Sequence, residues 1–142
     1  MKLQKLNIFI HMQPPEEGFH ELDCYYTWLG EDGIARTLVR DGAVIGIEDA
    51  MLNSRAVNSL RENAVYPLIV DTTKIKSITK EARDYLSIKD RETNVNAIAI
   101  VRKSIIGNMV ANFFIGLNKP SVPTKLFNSE EEAVEWCKNF KS

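Results

Sequence analysis

Two short apolar runs constrain the fold of this chain more than any other feature. The runs occupy residues 67–70 and 97–101 and contain no polar side chain. A strand that is apolar on both faces must be covered on both sides, which is typical of parallel strands inside a sheet. Parallel neighbours need a crossover, and the intervening segment has the apolar spacing of a helix. The sequence therefore predicts a βαβ unit with helices covering the sheet.

The flanking segments extend this unit in both directions. Two β-prone segments, 24–29 and 34–39, surround the turn residues 30–33 and predict a hairpin. Helices are predicted from near Ile47, after the N-cap Thr79, over 104–117, and after Asn128 or Ser129, and a brief strand is predicted over 124–127. The predicted fold class is thus α/β, with a mixed sheet in the order β-β-α-β-α-β-α-β-α.

A proline loop near the start suggests how the chain is divided. Pro14 and Pro15 are adjacent, and neither a helix interior nor a central strand accommodates such a pair. We predict an N-terminal arm and proline loop over residues 1–20, in which 6–12 is a candidate edge strand. The remainder, 21–142, is predicted to be a single domain, which suits a chain of 142 residues.

Charge and cysteine content narrow the classes of partner and cofactor. The formal net charge is −1, and without a basic excess we expect no nucleic-acid partner. Cys24 and Cys137 match no metal-ligand spacing, so they are expected to be buried, reduced thiols, with no metal and no cofactor. No apolar run approaches the roughly 20 residues of a membrane span, and we expect a cytoplasmic protein without a transmembrane segment.

The sequence offers no recognisable catalytic set. Its two histidines, His11 and His20, flank the proline loop, and a working general base needs a fixed partner. A nucleophile elbow, a phosphate-binding loop and a dinucleotide fingerprint are all missing. We therefore predict no catalytic residue and no enzymatic activity.

The ends of the two apolar runs carry a candidate ligand-binding or anion-binding set. Asp71, Thr72 and Thr73 follow the first run, and Lys103 and Ser104 follow the second. Ligands of open α/β sheets bind outside the carboxyl ends of the strands, and free backbone N–H groups of a helix N-terminus attract anions. The alternative is that the same residue types cap helices or stand in a solvated turn.

The predicted helix over 104–117 is apolar over more of its circumference than one sheet contact needs. Phe113 and Phe114 are adjacent and point about 100° apart, so both cannot face the same sheet. With Met109, they are candidate interface residues, and a symmetric homodimer would cover them. The alternatives are a helix buried within this domain or one packed against an apolar ligand.

A set of segments carries a family resemblance over roughly residues 25–140. The segments are 67–71 with 79–83, 97–101, 111–114 with 118–120, and 123–127 with 131–136. Together they resemble a STAS-like domain of the SpoIIAA-like type, in a bacterial branch of unassigned function. The resemblance implies a sheet with helices on its faces, a fold shared with anti-sigma-factor antagonists and with CRAL-TRIO lipid-binding domains.

The resemblance also implies a position for a phosphorylation switch. The antagonists carry a phosphorylated serine in an Asp-Ser-x-Gly motif, and residues 78–82 stand in its place here. The Asp-Ser pair and the glycine are absent, and Lys80 falls at or beside the serine position. Ser77 and Thr79 are the nearby hydroxyls that could be phosphorylated instead.

These observations lead to two hypotheses about function. The first is a non-catalytic STAS-like module that binds a protein partner or a second copy of itself. The alternative is a CRAL-TRIO-like carrier of a lipid or other apolar small molecule, lodged against the helix over 105–117.

Overall fold

The computed structural model describes residues 12–86, 93–103 and 122–141. Several predictions lie outside these residues, namely the helix over 104–117, the edge strand over 6–12 except for Met12, Ser104 of the anion-binding set, and the interface candidates Met109, Phe113 and Phe114.

The described residues form a mixed α/β fold, as predicted. In chain order the elements are β1 (Phe19–Glu21), β2 (Tyr25–Leu29), β3 (Ala35–Val39), β4 (Val44–Ile45), α1 (Ile47–Asn58), β5 (Tyr66–Asp71), β6 (Ser77–Ile78), α2 (Lys80–Leu86), β7 (Val95–Val101), β8 (Thr124–Phe127) and α3 (Glu130–Cys137), and a 3-10 turn over Lys138–Phe140 ends them. Six strands form one sheet in the order β1-β2-β3-β5-β7-β8. β1, β2 and β3 are antiparallel neighbours, whereas β3, β5, β7 and β8 are parallel.

Two features of the strands differ from the sequence prediction. The sheet begins at Phe19, inside the segment that was predicted to be arm and loop. In addition, β4 and β6 form a separate two-stranded parallel sheet that was not predicted. Each of these two strands has only two residues, which is too short for any periodicity to appear in the sequence.

The predicted helix caps are confirmed. The Thr79 hydroxyl accepts a hydrogen bond from the Ala82 N–H at 3.1 Å, and the Ser129 hydroxyl accepts one from the Glu132 N–H at 3.2 Å. These contacts satisfy backbone donors that have no partner within the first helical turn. The start of each helix is therefore fixed by its local sequence.

Side-chain alternation gives the main sheet two different faces. On one face, Ile69, Ala99 and Val101 pack with Ala133 and Cys137 of α3 into a dense apolar cluster. The opposite face carries Leu68, Val70 and Ile98 and is turned toward α1 and α2. Because successive residues of a strand point to opposite sides, neighbours in sequence have different surroundings here.

Trp136 is less buried than its place on the apolar stripe of the last helix predicts. It is half-buried, near the C-terminal end of α3, with its ring 5.6 Å from the ring of Phe127 and 4.8 Å from that of Phe140. Ala133 and Cys137, one turn apart on the same helix, take the fully buried positions. The tryptophan therefore covers the rim of the core rather than its centre.

Arg36 of β3 joins the hairpin turn to α3. Its guanidinium donates to both oxygens of Asp32, with Nη1–Oδ1 at 2.9 Å and Nη2–Oδ2 at 3.0 Å. Nη1 also donates to the Ile34 carbonyl at 3.0 Å, and Nε lies 3.4 Å from Oε2 of Glu130. The turn closes so tightly around this group that Gly30 has no room for a Cβ atom.

The Asp32–Arg36 pair makes the stability of the domain sensitive to acid. Burial raises the pKa of Asp32, but the hydrogen bond and the charge of Arg36 outweigh it, and the net pKa is lowered. A carboxyl with a lower pKa in the folded state stabilises the fold above its unfolded pKa of about 4. That stabilisation is lost as the pH falls through the folded value.

We therefore predict that Asp32→Asn reduces the loss of stability as the pH falls below about 4. Urea unfolding at a series of pH values measures this slope. The matched control is Glu31→Gln, which removes an exposed carboxylate from the same turn and should keep the slope of the wild type. An Asp32→Asn protein that loses stability with acid as steeply as the wild type would contradict the prediction.

Candidate functional site

A cavity of about 170 Å³ lies between the main sheet and helices α1 and α2. The strands of the main sheet line it with Tyr25, Thr37, Val39, Leu68, Val70, Val95, Ile98, Ile100 and Thr124. The helices, the small sheet and the connecting segments add Ile45, Asn53, Ser54, Val57, Asn58, Thr72, Ile75, Ile78, Leu86 and Thr93. One water molecule needs about 10–15 Å³ of such space, so the cavity is far larger than an ordinary packing defect.

The burial of the central strands reflects this cavity. Ile69 and Ala99, on the face beneath α3, have no exposed surface. Val70 and Ile98, on the neighbouring strand positions that face the cavity, are only half-buried. Strands in the middle of a sheet are normally covered on both sides. Among the described residues, the partial exposure of Val70 and Ile98 coincides with the cavity that they line.

The cavity wall is apolar and uncharged in the part of the chain that the structure describes. Aliphatic side chains dominate the lining, and its polar members are hydroxyl and amide groups, with no aspartate, glutamate, lysine, arginine or histidine among them. A charged ligand would lose its hydration without gaining an opposite charge in return. This lining suits an uncharged, mostly apolar molecule.

A polar network fixes α1 against the hairpin at one side of the cavity. Thr27 and Thr37 are fully buried, and their hydroxyl oxygens lie 3.1 Å apart. Asn53 of α1 donates from Nδ2 to Oγ1 of Thr27 at 2.6 Å, and the Thr37 hydroxyl lies 3.4 Å from Oδ1 of Asn53. These groups satisfy one another, as buried polar groups generally must.

A second network holds the C-terminal end of α1 to the start of β7. Oδ1 of Asn58 accepts from the Thr93 hydroxyl at 3.0 Å and from the Asn94 N–H at 2.8 Å. Nδ2 of Asn94 in turn donates to the Asn58 carbonyl at 2.7 Å. Hydrogen bonds therefore anchor α1, which forms one wall of the cavity, to the hairpin through Asn53 and to the start of β7 through Asn58.

Tyr25 stands apart from these satisfied polar groups. It lines the cavity with 4% of its surface exposed, and its hydroxyl has no hydrogen-bond partner among the described residues. Burial raises the pKa of this phenol most, and the nearby Cys24 and Asp49 raise it further, so the phenol stays protonated. By contrast, the Tyr66 hydroxyl donates to the Val57 carbonyl at 2.6 Å.

The structure brings three of the predicted anion-binding residues together at the carboxyl edge of the sheet. Asp71 is 3% exposed, and its Oδ1 accepts from the Thr73 N–H at 2.8 Å and from the Thr73 hydroxyl at 2.6 Å. Thr72 donates to the Val101 carbonyl from its N–H and its hydroxyl, both at 2.9 Å. Lys103 is exposed, and Ser104 lies outside the described residues. The contacts of Asp71 close a local turn after β5, where no described helix begins, and anion binding stays a prediction.

The two candidate phosphorylation sites lie on either side of Ile78. Ser77 is half-buried in β6. Thr79 is also half-buried, and its hydroxyl caps α2. Phosphorylation at either position stays a prediction. Elsewhere, His20 is exposed on β1.

The expectation of two buried, reduced thiols is confirmed. Cys24 and Cys137 are both free and buried, and burial raises the pKa of each thiol to about 11. Over the described residues, histidine, cysteine, aspartate and glutamate form no group of three that could hold a metal ion. The same residues contain no helix with the length and apolar character needed to cross a bilayer.

Sequence reasoning missed the cavity as a site. The prediction placed an apolar ligand against the helix over 105–117, which lies outside the described residues, and of the predicted site residues that the structure describes Thr72 alone lines the cavity. One signal was present, since Thr27 and Thr37 occupy inward positions of a predicted hairpin where an apolar residue is usual. A polar residue at such a position needs a partner, and Asn53 supplies it.

Comparison with known proteins gives one family and several solved structures, two of which are described below. A family model described as Domain of unknown function (DUF7793) matches residues 27–141. No curated protein matches the chain.

The first solved structure is an uncharacterised protein of the DUF3478 family with a SpoIIAA-like fold from Shewanella loihica PV-4. It is 17% identical, with a TM-score of 0.54, and the match covers 89% of this chain and 98% of that one. The second is a protein of unknown function from Arthrobacter sp. FB24, 33% identical with a TM-score of 0.32, where the match covers 79% of this chain and 97% of that one. The Shewanella structure confirms the expected SpoIIAA-like fold.

Proposed function

We propose that this chain, which belongs to the DUF7793 family, binds a small and mostly apolar ligand in the cavity between its sheet and helices α1 and α2. The observation that carries the proposal is the cavity itself, about 170 Å³ in volume with an uncharged and largely aliphatic wall. Of the two functions that the sequence predicts, this proposal takes up the carrier and places its ligand between the sheet and helices α1 and α2.

The size of the cavity supports a ligand on energetic grounds. The side chains that line an unfilled apolar space lack neighbouring atoms on one side and lose those van der Waals contacts. A domain of this kind is stable by only about 5–15 kcal/mol. A ligand that fills the space would supply these contacts and raise the stability of the folded state.

The volume also limits how large the ligand can be. An apolar protein cavity of about 150 Å³ accepts a molecule the size of benzene. A cavity of 170 Å³ therefore suits a ligand with about six to ten non-hydrogen atoms. A longer molecule would have to extend beyond the described walls.

A cavity-filling variant tests the proposal. We predict that Val70→Phe abolishes the stabilisation of the protein by small apolar compounds such as toluene, because the new ring occupies their space. The matched control is Val65→Phe, which places the same ring one residue before β5, at a position that is 48% exposed and does not line the cavity. Thermal unfolding with and without each compound measures the effect, since a ligand that binds the folded state raises its melting temperature.

Two results would overturn the proposal. One is a wild-type protein that yields no co-purified small molecule on organic extraction and mass spectrometry and is not stabilised by any compound of a suitable size. The other is a Val70→Phe protein that responds to the compounds as the wild type and Val65→Phe do.

Binding of a protein partner or a second copy of this chain remains a separate proposal. It rests on the apolar sequence around Met109, Phe113 and Phe114, which lies outside the described residues. Light scattering of the wild type and of Phe114→Glu tests it directly. A wild type of monomer mass at high micromolar concentration would contradict the homodimer.

A further inference from the structure

We infer that the ligand of the cavity carries a hydrogen-bond acceptor and that the hydroxyl of Tyr25 donates to it. This inference rests on the proposed function and specifies the chemical class of the ligand. It assigns to Tyr25 the role of the polar anchor in a site that is otherwise apolar.

The evidence is a hydroxyl group without a protein partner, on a side chain that is otherwise covered. Tyr25 is 96% covered, it lines the cavity, and its hydroxyl makes no hydrogen bond to any residue that the structure describes. Among the described residues, Oδ1 of Asn96 is the side-chain atom that is wholly buried without a partner, so the Tyr25 hydroxyl keeps some access to the space of the cavity. Tyrosine hydroxyls inside a protein usually have a hydrogen-bond partner. Tyr66, which is equally buried but does not line the cavity, follows this rule through the Val57 carbonyl.

Most other polar groups of the lining are already engaged with the protein. Thr37 and Asn53 belong to the network with Thr27, and Asn58 and Thr93 hydrogen-bond with each other. Thr72 likewise donates to the Val101 carbonyl. Ser54 is half-buried, so that water can reach it. Tyr25 is therefore the buried polar residue of the lining to which a ligand could supply a hydrogen bond that the described residues do not.

The protonation state of Tyr25 and the uncharged wall define the ligand class. The phenol is a hydrogen-bond donor across the physiological range because burial raises its pKa. An ionised carboxylate would lose its water and gain one hydrogen bond with no cation in the described lining. The class that fits is an uncharged molecule with an apolar body and a carbonyl, ether or alcohol oxygen.

The experiment compares two ligands of one shape in two proteins. Cyclohexanone has the acceptor, and methylenecyclohexane has a CH₂ group in its place. We expect Tyr25→Phe to weaken cyclohexanone binding by about 3- to 12-fold, the effect of one hydrogen bond, and to leave methylenecyclohexane binding unchanged. Because the affinity of each compound is compared between the wild type and Tyr25→Phe, the difference in hydration between the two compounds does not affect the result. Tyr66→Phe, the matched control, should alter neither affinity, and cyclohexanecarboxylate should bind to none of the proteins.

The outcomes separate this inference from the proposed function. If neither ring compound binds to the wild type, the proposed function fails together with the inference. If both bind and Tyr25→Phe does not weaken the ketone relative to the hydrocarbon, the inference fails and the proposed function stands. A Tyr25→Phe protein that unfolds, or that melts as early as Tyr66→Phe, would also overturn the inference, because the hydroxyl would then have a protein partner.

Discussion

Replacing Ile69 with alanine should lower the free energy of unfolding by about 3–5 kcal/mol, as the truncation of a fully buried aliphatic side chain does. Ile69 has no exposed surface and lies in the dense cluster beneath α3, with Ala99 and Ala133. The cluster also contains large side chains such as Trp28 and Phe127, and truncation of Ile69 removes its contacts with this cluster. Urea unfolding of the two proteins measures the difference.

The matched comparison is Ile98→Ala, the same substitution on the opposite face of the sheet. Ile98 is half-buried because it borders the cavity, so its truncation enlarges existing space and removes fewer contacts. We expect a loss of only about 1–2 kcal/mol. Equal losses for the two variants would show that the two faces are packed alike, and the account of the cavity would then be wrong.

Arg36→Met is expected to lower the free energy of unfolding by about 2–4 kcal/mol. The variant keeps much of the side-chain volume but leaves Asp32, the Ile34 carbonyl and Glu130 without their shared donor. Breaking a fully buried ion pair costs about 3–5 kcal/mol, and the effect here is smaller because water reaches both carboxylates, each with 35% of its side chain exposed.

The control for Arg36→Met is Arg55→Met, which removes an exposed arginine from α1. Surface changes of this kind alter stability by about 0.5 kcal/mol or less. Equilibrium unfolding in urea distinguishes the two variants. If they are equally stable, Arg36 does not hold the hairpin turn to α3.

The parts of the fold that the sequence predicts are those that local chemistry decides. The hairpin follows from alternation on either side of a turn rich in glycine, and Gly33 takes the positive φ of 80° that this turn requires. The starts of α2 and α3 follow from Thr79 and Ser129, whose hydroxyls cap the next turn. Each of these features depends on residues only a few positions apart.

The cavity depends on contacts between segments that are distant in sequence. Tyr25, Asn53 and Ile98 belong to three elements, and only the tertiary arrangement decides that they surround one space. The sequence does show that Ile98 belongs to an apolar strand, but not how closely a helix approaches it. The sequence could also place Asp71 at the end of a strand, but it did not indicate that the N–H and the hydroxyl of Thr73 donate hydrogen bonds to the Asp71 carboxylate.

The cavity also determines how the domain should respond to hydrostatic pressure. A void of 170 Å³ per molecule corresponds to about 100 mL/mol, which is near the upper end of the volume decreases seen when proteins unfold. Where no water fills it, that volume disappears on unfolding, and compression favours the unfolded chain. A molecule seated beside Tyr25 would remove most of this volume difference. The loaded protein should therefore withstand compression that unfolds the empty one.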